Sequence, residues 1–292
     1  VSAVTGVVIV NFNAGDALSR CIESVLSQGE AARVVVVDNA SNDGSARTAE
    51  TRYGGLDYLD IVFNAENRGF ARAVNQAAGH ESLAASTFLL ILNPDCELFP
   101  GALRKLRTAL ASADSAGLAG PLVVNRSGEP LRGTYRRFPD AWRSFVTFAG
   151  LWRLGRTLPV FRGVEPTTEL PAETAQAEAT SGACMLLPRQ LFLGIGGLDE
   201  DYGLHCEDLD LMYRLHQQGN SCLFVAGARV YHQQGVSSAT RPVWVHWQKH
   251  RGMQRFFMKF QAKRYVFPIR WLVIAGIWAR FALTLPLVLL RR

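Results

Sequence analysis

From Arg241 onward the chain contains no aspartate or glutamate, although lysine, arginine and aromatic residues are dense there. A segment stripped of negative charge cannot lace itself with internal ion pairs, and it points to an anionic surface, membrane or nucleic acid. Cysteine is sparse and scattered: Cys21, Cys96, Cys184, Cys206 and Cys222 are odd in number and form no Cys-x-x-Cys pair. Neither a disulfide framework nor a zinc site is indicated, and a reducing, cytosolic setting fits. No Gly-x-Gly-x-x-Gly follows the first strand-like run, and no Gly-x-x-x-x-Gly-Lys-Ser/Thr occurs anywhere, which argues against dinucleotide and P-loop enzymes. The chain enters strand-like Gly6-Val-Val-Ile-Val10 without a basic leader or cleavage site, so no secretory signal is expected.

What is present suffices for a sizeable core: 292 residues, 48% of them hydrophobic, with a net charge of +6. That allows one large α/β domain or two smaller ones. Gly6 to Phe12 reads as a buried strand, Asp16 to Gln28 as an amphipathic helix, and Val34 to Val37 as a second strand ending in Asp38-Asn-Ala-Ser-Asn-Asp-Gly44. Strand, helix and strand in about forty residues make a βαβ unit with a parallel sheet. Ligands of such sheets sit beyond the carboxyl ends of the strands, so Asp38 stands either where a ligand is met or as the cap of the next helix, as does Ser41.

A third strand, Leu59 to Phe63, leads to Asn67-Arg-Gly69 at a helix start, which reads as a phosphate cradle or as an ordinary helix entry. Phe88-Leu-Leu-Ile-Leu92 then runs into Asn93-Pro94-Asp95, a carboxylate delivered to the sheet edge. Taken alone, such an acid is more often a turn residue or cap than a ligand. Leu118 to Val124 reads as a strand, whereas from Arg126 to Thr180 periodicity is lost, and a lid, binding loop or mobile stretch near Pro166 is expected. Pattern returns at Ser181 to Leu187. A helix follows whose first turn carries Glu207 and Asp208, where the macrodipole favours carboxylates with or without a function. A strand pair, Cys222 to Val225 and Ala228 to Tyr231, reaches His232, a residue type more often structural than ligating. Val266 to Leu290 is strongly apolar but interrupted by Arg270, Arg280 and Pro286, so interfacial helices are expected rather than a span, with a core helix pair as the other reading.

Together, Val8-Ile-Val-Asn-Phe-Asn13, Asp38 to Gly44, Asn67-Arg-Gly-Phe-Ala71 with Asn75, Leu92-Asn-Pro-Asp95, Ser181-Gly-Ala183, Gly197-Leu-Asp199, Glu207-Asp208 with Asp210, and His232 stand in one order. In this the sequence, over roughly residues 5 to 240, resembles the family-2 nucleotide-sugar glycosyltransferases, and within them bacterial rhamnosyltransferases of cell-envelope polysaccharide synthesis. The resemblance implies an A-type fold: a Rossmann-like, mostly parallel sheet flanked by helices, with a helical, membrane-interfacial C-terminal extension. It implies a catalytic domain over 1–240, with a nucleotide-sugar half (1–125) and an acceptor half (126–240) holding a flexible loop near 163–180. A basic, aromatic region, 241–292, follows.

By the same resemblance Asp208 is the base and Glu207 orients the acceptor, with the reverse assignment open. Val10, Phe12, Asp38, Asn67, Arg68, Asn93, Gly182 and Ala183 bind the nucleotide sugar, and Asp95 and His232 hold Mg²⁺ or Mn²⁺. The first acid of the family's Asp-x-Asp element is replaced by Asn93, so metal binding leans on Asp95, His232 and phosphate. The expected partners are a nucleotide-diphospho-sugar, in first place dTDP-rhamnose, a lipid-linked glycan acceptor and the inner-membrane surface. Nucleic acid is not expected, because the tail's apolar density fits lipid better. The expected location is the cytoplasmic face of the cell membrane.

Overall fold

The computed structural model describes residues 4–29, 32–165, 170–233 and 241–290. Four runs of β-branched and aliphatic residues form β1 (Thr5–Asn11), β2 (Ala32–Asp38), β3 (Leu59–Phe63) and β4 (Phe88–Leu92), which pair in parallel in the order β3-β2-β1-β4. Helices α1 (Asp16–Leu26), α2 (Ser45–Tyr53) and α3 (Phe70–Ala78) make the crossovers. Alternate residues of each strand enter opposite layers: Val7, Ile9, Val34 and Val36 pack with Leu18 and Ile22 of α1, whereas Val8, Val35 and Val37 pack with Ala73 and Val74 of α3. Burial on both faces is why these strands read as unbroken apolar runs.

The remaining catalytic elements are β5 (Cys96–Leu98), α4 (Ala102–Ala111), β6 (Ala116–Val124), β7 (Tyr135–Arg136), α5 (Ala141–Phe148), β8 (Ala175–Ala177), β9 (Ala179–Thr180), β10 (Cys184–Pro188), α6 (Arg189–Gly194), α7 (Glu207–Gln217) and β11 (Ser221–His232). Beyond β4 the sheet continues as β10-β6-β11-β5, with β8 added on β11, and β7 pairs with β9 in a separate ribbon. Here directions mix: β10 is antiparallel to β4 and β6, while β11 is parallel to β6 and antiparallel to β5 and β8.

Three local expectations are corrected. The strand pair before His232 is a single strand, because Ala226, Gly227 and Ala228 form a bulge between Val225 and Arg229 without ending the pairing with β6. The expected loop 163–180 is ordered at its end, where Ala175–Ala177 pairs with β11 and Ala179–Thr180 with β7; Pro166 itself lies outside the described residues. The apolar C-terminal run is not cut. After α8 (Pro242–Phe256), α9 (Phe267–Leu290) is one helix of 24 residues that passes through Arg280 and Pro286. Arg280 is accommodated sideways, with Nη1 3.4 Å from Met253 Sδ on α8.

Candidate active site

Parallel strands bring sequence-distant residues to one edge, since their carboxyl ends all face the same way. Asn11 and Asp38 end β1 and β2 as direct register partners, and Asn93-Pro94-Asp95 follows the end of β4. Asp38 is buried; Asn11 Nδ2 donates to its Oδ1 at 2.7 Å and Ser41 N to its Oδ2 at 3.1 Å. The cap of α2 is Gly44, with no side-chain bond, so the reading of Asp38 or Ser41 as that cap falls away. Phe12 lies half-buried just past β1, whereas Val10 points into the core below α3.

Asn39, also buried, gathers the neighbouring loop: its Oδ1 accepts from Arg68 N at 3.0 Å and its Nδ2 donates to Asn67 Oδ1 at 3.0 Å. The Asn67 amide oxygen is thus engaged by the loop itself. Arg68 extends an exposed side chain with no partner among the described residues.

Asp95 Oδ1 lies 3.2 Å from His232 Nε2, and Asp95, Cys96 and His232 offer donor atoms within 4.8 Å of one another. They meet because β11 runs antiparallel to β5 with His232 opposite Cys96, and because Gln233 N donates to Asp95 O at 3.0 Å. Burial, and then the Asp95 charge, push the Cys96 thiol well above its ordinary range, and the thiol faces Ala183 O at 3.6 Å. A neutral thiol is a poor partner for a hard cation, whereas a carboxylate and an imidazole are suitable donors for Mn²⁺ and acceptable for Mg²⁺. The residues present therefore fit a divalent ion. The Asn93 side chain has no partner among the described residues, and its backbone N donates to Ala183 O at 2.9 Å.

Through Ala183 this edge meets α7. A methyl group on Gly182 would stand 2.7 Å from Asp208 Cβ and from its Oδ2, so the residue facing Asp208 must be glycine. Asp208 Oδ2 accepts a short hydrogen bond from Arg136 Nη2, whose Nε donates to Thr180 O at 3.1 Å. Both side chains are largely buried, at 18% and 16% exposure, and Asp208 Oδ1 has no partner among the described residues. Glu207 is buried with Oε2 unpartnered, and burial first, then the Asp208 charge, raises its carboxyl to about 8. The third acid of the motif does different work: Asp210, fully buried, pairs with Arg214 and Lys259 at 2.6 Å each, and Lys259 also pairs with Asp199 at 2.6 Å.

The structure thus brings Asp38, Asn93, Asp95, Gly182, Ala183, Asp208 and His232 to one side of the sheet, and leaves Val10 in the core. Sequence reasoning did not find Arg136, which sat in a stretch without periodicity. The one available signal was the doubled arginine of Tyr135-Arg-Arg-Phe138, where strand alternation gives the two side chains opposite faces.

Solved structures share this architecture. A mannosyltransferase from Pyrobaculum calidifontis, in complex with GDP-Man and Mn²⁺, aligns with a TM-score of 0.60 at 19% identity over 98% of this chain and 71% of its own. GalNAc-T7 with UDP, GalNAc and Mn²⁺ aligns with 0.61 at 19% identity over 80% of this chain, which spans only 44% of that one. These likenesses show an A-type fold. The family model for glycosyl transferase family 2 matches residues 6–164, and the chain belongs to that family. It is 27% identical over 275 residues, 91% of its length and 87% of the relative's, to an N-acetylglucosaminyl-diphospho-decaprenol L-rhamnosyltransferase of Mycobacterium tuberculosis. It is also 23% identical over 77% of its length to the rhamnosyltransferase WbbL of Escherichia coli, covering 82% of it.

Proposed function

We propose that this glycosyltransferase moves L-rhamnose from dTDP-rhamnose, with inversion, to a hydroxyl of a lipid-linked diphosphate glycan at the cytoplasmic face of the membrane. The observation that carries the reading is the convergence of Asp38, the Asp95–His232 pair and Asp208 on one sheet edge. The rhamnosyltransferase relatives support the sugar, and the decaprenol-linked substrate named for one of them supports the acceptor.

Asp38 accepts from the base ring, and Phe12 packs beside it. Asp95 and His232 hold the divalent ion, which when bound offsets the charge of the leaving diphosphate. Asp208 takes the proton of the acceptor hydroxyl as the new bond to the anomeric carbon forms and the bond to the diphosphate breaks on the opposite face. Two observations favour Asp208 over Glu207 as base: burial and then the Asp208 charge raise the Glu207 carboxyl to about 8, which favours its protonated form, and Arg136 fixes Asp208 Oδ2 while Oδ1 remains open. Neutral Glu207 is then a donor that orients the acceptor. When environment drives two neighbouring carboxyls apart in acidity, their roles divide accordingly.

The reading is tested by thermal unfolding with dTDP, UDP and GDP, with and without Mg²⁺ or Mn²⁺, since a ligand of the native state raises its stability. A metal-dependent shift with dTDP alone is expected. A response to UDP or GDP instead reassigns the donor, no response to any of them sinks the reading, and a nucleotide response without sugar transfer favours a silent sugar-nucleotide-binding scaffold. In the same panel Asp208→Asn should keep the nucleotide shift and lose transfer by at least about a hundredfold, the low end for general-base catalysis.

A further inference from the structure

Beside β7 the chain builds a cavity of about 280 Å³ lined by Arg137, Asp140, Trp142, Arg143, Val160 and Arg162, together with Pro159. Arg136, which holds Asp208, and Arg137, which lines the cavity, are consecutive in the chain. Asp140 is engaged as the cap of α5, accepting from Arg143 N at 2.7 Å, and Arg143 pairs with Glu178 at 2.7 Å. Neither Arg137 nor Arg162 has a side-chain partner among the described residues. Burial first, then the Arg143 charge, lower the pKa of Arg137, and the nearby Glu178 offsets this only in part.

The surroundings are equally one-sided. Residues 141–164 contain four arginines and no acid, as does the tail from Arg241 in its lack of acids. Trp142, Phe145 and Phe148 stand at 46%, 53% and 49% exposure, and the Phe148 ring lies 6.0 Å from the Arg280 guanidinium, which joins this face to the wholly unburied α9. Cationic cavity and exposed aromatics side by side match a molecule with an anionic head and a hydrocarbon tail.

We propose that the Arg137–Arg143–Arg162 cavity is the subsite for the diphosphate of a lipid-diphosphate acceptor, whose hydrocarbon chain runs along the aromatics of α5 toward α9. This rests on the lipid-linked reading above and adds the residues that hold the acceptor.

The test is calorimetric titration of the full chain in detergent micelles with farnesyl diphosphate, beside sedimentation with phosphatidylglycerol vesicles. Arg137→Gln and Arg162→Gln should each weaken farnesyl diphosphate roughly tenfold, with unfolding midpoint and vesicle binding unchanged. Unchanged diphosphate affinity overturns the proposal, as does loss of vesicle binding alone, which would make the cavity a headgroup site. If the wild-type chain binds farnesyl diphosphate through these arginines but glycosylates no lipid-diphosphate acceptor, the subsite stands and the functional reading falls.

Discussion

Glu207 and Asp208 are adjacent in sequence, yet Glu207 is fully buried with an unpartnered oxygen whereas Asp208 is held by Arg136. Glu207 sits where the helix dipole favours ionisation, but full burial beside a second carboxylate outweighs that and lifts it from an ordinary 4.5 to about 8. A carboxyl whose folded pKa is raised contributes stability that is complete below about 4.5 and is lost as pH rises through about 8. Glu207→Gln, which copies the protonated form, should therefore match the wild type near pH 4 and unfold at a higher temperature than it at pH 8.5. Scanning calorimetry at the two pH values checks this, and equal midpoints at both would remove the raised pKa. At Gly182 the constraint is steric. Gly182→Ala drives a methyl group into the Asp208 carboxylate, so transfer should fall at least about tenfold, the cost expected of a displaced base, while the nucleotide-induced thermal shift persists.

At the level of elements, α7 is the hinge of the design: its first turn supplies the acids of the site and, through Asp210, also fastens the C-terminal region. Asp210 joins Arg214 to Lys259, and Arg255 and Lys259 both reach Asp199, so the segment after α8 is clamped to the Gly197-Leu-Asp199 loop. Asp210 is fully buried, so removing its charge leaves Arg214 without its carboxylate and Lys259 with Asp199 alone, beside a buried amide. Asp210→Asn should cost about 3 kcal/mol in urea unfolding, the low end for breaking a buried pair. A value within the range of surface pairs, below about 1 kcal/mol, would show the clamp to be ornamental. The same interactions explain why Asp210, which follows the catalytic pair by two residues, is not part of the cleft.

At the level of the whole molecule, the strands of the central sheet are buried under helices, whereas the apolar helix α9 has no buried residue. α9 reaches a mean hydropathy of 2.0 over an 18-residue window, has no buried residue and, at the helical rise, a length of about 36 Å, against a bilayer core of about 30 Å. It is long and apolar enough to cross a membrane, and it packs along α8 through Trp278 Nε1 to Gln254 Oε1 at 2.8 Å and through the stacked rings of His246 and Phe281. Ending the chain before Phe267 should abolish binding to phosphatidylglycerol vesicles and leave the nucleotide-induced thermal shift intact. Retained vesicle binding would move the membrane contact to α5 and the arginines beside it.

The parallel half of the sheet was legible because its strands are buried on both faces and its βαβ connections are short, so apolar run length alone located β1, β2 and β4 and put Asp38 and Asp95 at their ends. Helix and strand signals are local, and local patterns survive in sequence. The bulge at 226–228 was not legible, since a bulge and a turn share the same residues and only pairing with β6 tells them apart. Nor was the path of α9 through Arg280, which depends on α8 lying alongside. Sequence by itself determined the family, the order of the acids and the sheet edge to which they come. Tertiary structure alone decided that Arg136 meets Asp208, that the Glu207 carboxyl is raised while Asp210 is clamped, and that three arginines share one cavity, because each depends on burial and on contacts between segments far apart in the chain.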